Sequence, residues 1–251
     1  MAVLQEIVAF CDERTRRREI EDFPGSYNGL QLANNGSVTS VAAAVDAGEA
    51  AFRKAVGSGA DFLIVHHGML WTRPEAYTGP LYRKLKTAMD ANLAVYSSHL
   101  PLDAHPQIGN NRLLAEALQL EVEDFFLPVG DTPVALLAKA PENRESLLER
   151  LRAEFPSGVT AMEFGSAEPR KVALLTGSGR SALPHLKQAG TDTLVTGELR
   201  QEHFTYAQEN ELNLYCCGHY ATETYGVRAL AAEVADRFGL PAAFLETGCP
   251  L

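Results

Sequence analysis

Residues able to hold a metal fall at three places in this chain, each at the end of an apolar run. The stretch "DFLIVHHGML" (Asp61–Leu70) carries His66 and His67 side by side. "HLPLDAH" sets His99 four residues before Asp103, and "GHYATETYG" sets His219 four residues before Glu223. In open parallel sheets, ligands bind beyond the carboxyl ends of the strands, so three strand ends can gather these six side chains in one crevice. Four imidazoles and two carboxylates are too many for one tetrahedral zinc. They suit two divalent ions, with a carboxylate able to bridge them. Mixed imidazole and carboxylate ligation admits zinc, manganese, iron, nickel or cobalt. A pair of such ions activates water and neutralises a developing oxyanion or phosphoryl charge, which is hydrolytic chemistry.

Local geometry constrains how the six can meet. Adjacent side chains on a strand point to opposite faces, so His66 and His67 need a turn, here at Gly68, to serve one site. Pro101 opposes a regular helix through His99–Asp103, which places that pair on a loop. His219 and Glu223 share a face at a helix entrance by their i,i+4 spacing. Hydrolysis also needs a base or proton shuttle. Glu198, at the end of "DTLVTGE", is the candidate, and a solvated or helix-capping acid is its plain alternative. Cys216 and Cys217 precede His219 closely but fit buried strand positions.

The elements that must position these residues alternate along the chain. "SVAAAVD", "DFLIVHH" and "NLAVYSSHLPLD" are strands, separated by helical patterns in "AGEAAFRKAVGSGA" and "LYRKLKTAMDA". Leu113, Leu114, Ala117 and Leu118 mark a further helix face. Such β-α-β-α order implies a largely parallel sheet with helices on its faces. "FLPVGDTP" (Phe126 onward) has the turn residues of a boundary. Beyond it, "VALLAKA", "KVALLTG", "DTLVTGE" and "NLYCCGH" are strands, "NRESLLERLRAEF" is a helix, and Val227, Leu230, Ala231, Val234 and Phe238 stripe a last helix. "AAFLETG" closes a sheet. The expected organisation is a first α/β domain over 1–127 and a second over 128–251, with the C-terminal segment packing back on the first. Their similar rhythm suggests a duplication without a residue-level repeat.

Composition narrows the function classes. With 251 residues, 46% of them hydrophobic, the chain can bury a real core. A net charge of −10 argues against general binding to nucleic-acid backbones. The four cysteines form no CxxC pair, which fits reduced thiols and a cytoplasmic location. The N-terminal stretch has the pattern of an amphipathic helix broken by charge, not of a signal peptide. No apolar run is long enough to span a bilayer.

Five stretches together, "NGLQLAN" (Asn28–Asn34), "VHHGMLW" (Val65–Trp71), "SHLPLDAHPQIGNN" (Ser98–Asn111), "TGE" (Thr196–Glu198) and "GHYATE" (Gly218–Glu223), resemble the Nif-three-like dinuclear metal proteins, also labelled GTP cyclohydrolase 1 type 2 homologues. The resemblance runs nearly end to end, in order, to the compact form without a central insertion. It implies two similar three-layer α/β domains with mostly parallel sheets, a metal pair in the cleft between them, and a toroidal homohexamer. His66, His67, His99, Asp103, His219 and Glu223 fall on the family's metal-binding positions. The resemblance also places the Tyr27–Asn28–Gly29 loop near the site, and some relatives have a histidine soon after "TGE", where this chain has His203. The family label implies hydrolysis of GTP or a related small-molecule nucleotide at C8 of the guanine.

Rival readings have their own residues. A metal-binding, metal-delivery or regulatory protein would use the same ligands without turnover, and a metallophosphatase would use them on another phosphate ester. "LLTGSGRSA" gives Gly177, Gly179 and Ala182 after a strand, with Glu198 about 20 residues on, which formally meets the dinucleotide fingerprint of an NAD oxidoreductase. As part of a βαβ unit the same loop can touch a substrate phosphate. Trp71 can stack on a base or simply pack. "TRRRE" (Thr15–Glu19) is a solvated helix end.

Overall fold

A computed structural model describes residues 1–71 and 76–251. In chain order the first elements are β1 (Ala2–Val3), α1 (Leu4–Arg14), β2 (Gly29–Leu32), β3 (Ser37–Val38), β4 (Val41–Asp46), α2 (Glu49–Gly57), β5 (Phe62–His67), α3 (Gly79–Asp90), β6 (Ala94–Ser97) and α4 (Leu100–Asp103). Then come α5 (Asn110–Ala117), β7 (Val122–Val129), β8 (Thr132–Lys139), α6 (Arg144–Glu154), β9 (Thr160–Glu163) and β10 (Lys171–Ser178). The chain finishes with β11 (Thr193–Glu198), α7 (Glu202–Glu209), β12 (Asn213–Cys216), α8 (His219–Thr222), α9 (Thr224–Phe238) and β13 (Ala242–Phe244).

The chain divides into two units, one of 1–102 with 226–248, the other of 103–225 with 249–251. The first holds a five-stranded sheet in the order β13-β4-β5-β6-β2. All of its pairings are parallel except β2 with β6. Strands β4 and β5 are buried at nearly every position, as expected of parallel strands covered on both faces. Phe52, Leu63, Val65, Leu93 and Val95 are among the side chains of its core. The C-terminal "AAFLETG" does close this sheet, as β13 beside β4. Strand β2, whose short sequence gives no alternation to follow, is the element that brings Asn28 and Gln31 toward the strand ends.

The second unit holds a six-stranded sheet, β7-β8-β10-β11-β12-β9. Only its central pairs, β10 with β11 and β11 with β12, are parallel. Its margins are antiparallel, so this sheet is mixed where the sequence suggests a mainly parallel one. For one of the three antiparallel pairs the reason is local. "FLPVGDTP" turns a hairpin between β7 and β8, with Gly130 at φ 56°, a conformation glycine adopts without steric cost. Leu114, Leu136, Leu147, Leu151, Leu174 and Tyr215 pack its core. No helix among the described residues is long and apolar enough to cross a membrane.

Candidate functional site

In the first unit three histidines meet. One ring nitrogen from each of His66, His67 and His99 lies within 4.8 Å of the others. The ring centroids of His66 and His67 are 4.7 Å apart, and those of His66 and His99 are 4.9 Å apart. His66 is fully buried, His99 nearly so, and His67 half-buried.

Each of the three is oriented through Nδ1. His66 Nδ1 is 2.9 Å from the Ser98 carbonyl oxygen, a group that can only accept, so the nitrogen donates. His67 Nδ1 donates to Asp46 Oδ1 at 2.8 Å. The parallel ladder explains this pair, because Asp46 ends β4 directly opposite His67 at the end of β5. His99 Nδ1 donates to Asp22 Oδ1 at 2.9 Å. Asp22 also accepts from the Leu100 N–H at 3.1 Å and from Asn28 Nδ2 at 2.7 Å. Asn28 Oδ1 in turn accepts from the His99 N–H at 2.7 Å. Burial raises the Asp22 pKa, but the bonds from His99, Asn28 and the Phe23 N–H outweigh it and hold it down at about 2. A proton fixed on Nδ1 leaves Nε2 as the basic nitrogen, the arrangement found in histidines that bind metals.

One expectation about this region changes, and Gly68 gains a further role: it provides space, because a Cβ there would overlap the side chain of Gln31. Gln31 Oε1 accepts from the Met69 N–H at 2.6 Å and its Nε2 donates to the Tyr27 carbonyl at 2.7 Å, which pins the loop after the histidines to the Tyr27 loop. Asp103 ends a single helical turn, α4 (Leu100–Asp103), with His99 immediately before it, instead of the pair lying on a loop. Pro101 is tolerated there because the first turn of a helix needs no donor from it. Trp71 packs edge-on against His99 at 4.4 Å and against His67 at 5.8 Å.

The second unit positions the remaining ligand-type residues. His219 opens α8 and Glu223 follows it one turn later. His219 Nε2 is 3.2 Å from Glu223 Oε1, and its Nδ1 is 3.1 Å from Glu198 Oε1 at the end of β11. The Glu223 carboxylate, seconded by Glu198, holds the His219 imidazolium up to about 9 against the opposing effect of burial. A metal taken up at Nε2 must displace that proton. Glu223 is buried, whereas the Glu198 side chain is 52% exposed. Asp103 is buried and accepts from Asn110 Nδ2 at 2.7 Å.

The glycine-rich stretch serves this group. "LLTGSGRSA" runs from β10 into two short 3-10 turns, Gly179–Ser181 and Leu183–His185, so the described residues form no helix N-terminus where a dinucleotide fingerprint requires one. Gly177, at φ 64°, lies where a Cβ would overlap Glu223, and a Cβ on Gly197 would crowd the Gly177 carbonyl and His219. Thr222 Oγ1 accepts from the Gly177 N–H at 3.0 Å. The glycines thus make room for His219 and Glu223. His203 is buried at the start of α7, where its Nδ1 accepts from the Arg200 N–H at 2.9 Å.

Sequence reasoning missed Asp22, Asp46 and the Ser98 carbonyl. Asp46 had a usable signal, a carboxylate closing "VAAAVD" at the level of the histidine pair. Asp22 had none, because it reaches His99 across 77 positions of sequence.

Comparison with known proteins agrees across the whole chain. A Deinococcus radiodurans protein named GTP cyclohydrolase 1 type 2 homolog is 40% identical over 228 residues, covering 88% of this chain and 85% of its own length. A solved structure from Thermus thermophilus superposes with a TM-score of 0.87 at 36% identity, covering 100% of both chains. That of the protein ybgI, described as of unknown function, superposes with a TM-score of 0.92 at 30% identity, again over 100% of both chains. The family model described as Duf34/NIF3 (NGG1p interacting factor 3) matches residues 2–248, and the chain belongs to that family.

Proposed function

We propose that the chain is a divalent-metal-dependent hydrolase acting on a nucleotide, with GTP as the first candidate substrate. His66, His67, His99, Asp103, His219 and Glu223 would hold two ions per chain. The observation that carries this reading is shared by four separate histidines: each gives Nδ1 to an oxygen acceptor, the Ser98 carbonyl, Asp46, Asp22 or Glu198. That pattern is characteristic of metal-ligating imidazoles. The donor set, neutral nitrogens with hard carboxylate oxygens, fits a first-row divalent ion. When bound, such ions supply Lewis acidity and a water made acidic near neutral pH.

The chain's own residues supply the rest. Asp22 and Asp46 hold His99 and His67 in one tautomer. Glu198 holds His219 and, being half exposed, is the group we assign to take up a proton from the attacking water and pass it to solvent. The relatives named GTP cyclohydrolase 1 type 2 homolog support opening of the guanine ring at C8 with release of formate as the reaction to try first. A toroidal hexamer and a cytoplasmic location, which the resemblance and the cysteine usage imply, belong to the same proposal.

One observation favours a second reading, metal binding or delivery without turnover: Glu198, the single base we can name, is already engaged by His219. Metal analysis of the purified protein, followed by formate release from GTP after reloading with each candidate metal, separates the two. Two ions per chain with metal-dependent formate establish the hydrolase. Two ions without turnover on GTP or on other phosphate esters favour delivery, and fewer than two ions per chain overturn the ligand set.

A further inference from the structure

Within the first unit a cavity of about 1370 Å³ extends from Trp71 to α3. Tyr27, Leu70, Tyr77, Tyr82 and Met89 line it, and all five belong to the large apolar side chains that the described residues leave exposed. Tyr77 is 72% exposed. Gathering such side chains in one place exposes a continuous apolar patch, which in a stable chain marks a binding surface. Three of these five are tyrosines, and Trp71 adds a fourth aromatic ring to the lining.

Trp71 connects this cavity to the histidines. It lines the cavity and also presents its ring edge-on to His99 and His67. Its position is fixed from below. Gln31 ties the Met69 and Leu70 N–H groups, the Tyr27 N–H donates to the Leu70 carbonyl at 3.0 Å, and Gly68 clears the space the Gln31 side chain needs. A ring lying on these walls would therefore end beside His67 and His99. Lys84 adds a cation, with one of its three protons committed to the Ala47 carbonyl at 3.0 Å. Aromatic walls with a polar donor suit a planar heterocycle with ring nitrogens and exocyclic oxygens better than a hydrocarbon chain.

We infer that this cavity is the subsite for a planar heteroaromatic ring, a purine base in the case of a nucleotide, stacked among Trp71, Tyr77 and Tyr82. The inference deepens the hydrolase reading by giving the base-recognition surface, but it concerns binding and needs no turnover.

The chain's single tryptophan is Trp71, so its emission reports on this cavity alone. Guanosine and GTP are titrated into the full-length protein, as purified and after chelation, with excitation at 295 nm and correction for absorbance by a free tryptophan analogue. Inorganic triphosphate and ribose 5-phosphate serve as ring-free probes. Saturable quenching by guanosine and GTP, but not by the ring-free probes, is the expected result, with or without metal. Tyr77→Ser with Tyr82→Ser should weaken guanosine binding about tenfold, since each stacking partner contributes substantially to base affinity. Both tyrosines are exposed, so the variant should fold, and its circular dichroism checks this. No response to guanosine overturns the inference, as does binding that both substitutions leave unchanged. Emission that changes with protein concentration alone would show a second copy of the chain in the cavity, and also overturns it. Quenching without formate release would remove the cyclohydrolase reading while leaving the ring subsite in place.

Discussion

Gly177 and Glu223 touch so closely that no side chain fits between them: a Cβ on Gly177 would overlap the Glu223 carboxylate and come within 3.1 Å of His219 Nε2. The φ of 64° at Gly177 adds a second restriction. Gly177→Ala is therefore expected to cost about 1–3 kcal/mol through strain and overpacking. It should also displace Glu223 and lower metal content. Thermal denaturation and metal analysis on the same sample check both effects.

Asp46 orients His67 through one bond from the end of the neighbouring strand. Asp46→Asn can still accept at its amide oxygen but loses the negative charge beside the His67 ring. Metal affinity should fall by roughly 10–100-fold, with stability little changed because Asp46 is half exposed. Competition with a chromogenic chelator measures this. Unchanged affinity would remove His67 from the ligand set.

Asp22 should make the chelator-treated protein acid-sensitive in a defined window. Its carboxyl, ordinarily near 3.8, is held down at about 2 in the fold, chiefly by His99 once burial has been outweighed. The resulting stability is present above pH 4 and is lost as the pH falls toward 2. With the side chain nearly buried, the contribution is on the order of 2 kcal/mol. Urea titrations of wild type and Asp22→Asn between pH 5 and 2.5 should converge at the acid end.

The four thiols should react unequally. Cys249 is exposed, while Cys11 and Cys217 are buried. Burial pushes the thiols of Cys216 and Cys217 up to about 11 and about 12, so little thiolate is present near neutrality. Ellman's reagent at pH 8 is expected to titrate one thiol per folded chain quickly and the others only on unfolding. Cys249→Ser should abolish the fast phase.

Much of this arrangement is legible in the sequence because burial writes itself into composition. The runs ending in Asp46 and His67 are apolar at successive positions because parallel strands are covered on both faces, and the stripe from Val227 to Phe238 repeats at helical spacing. The histidines announce themselves as polar residues closing such runs. What stays hidden depends on register and on long-range closure. Nothing local to Asp22 points to His99, and the use of Gly177 as space for Glu223 follows only from how β10 lies against α8. The same glycines resemble a dinucleotide loop in one dimension because any tight departure from a strand favours glycine. The antiparallel margins of the second sheet escape notice for a similar reason, since strand direction leaves little trace in a short run.

The bond from Asp22 to His99 carries a consequence for how the protein breathes. Asp22 and Asn28 belong to the irregular segment between α1 and β2. Because neither residue lies in a strand, loss of their bonds would release His99 from its tautomer without breaking a strand pairing. Linkage is reciprocal, so whatever free energy an ion at the proposed site would gain from an oriented His99 would be returned as resistance of this segment to opening. Amide exchange there would thus gauge occupancy of the proposed site, and a protease that samples the segment would act, in effect, as a probe for the metal.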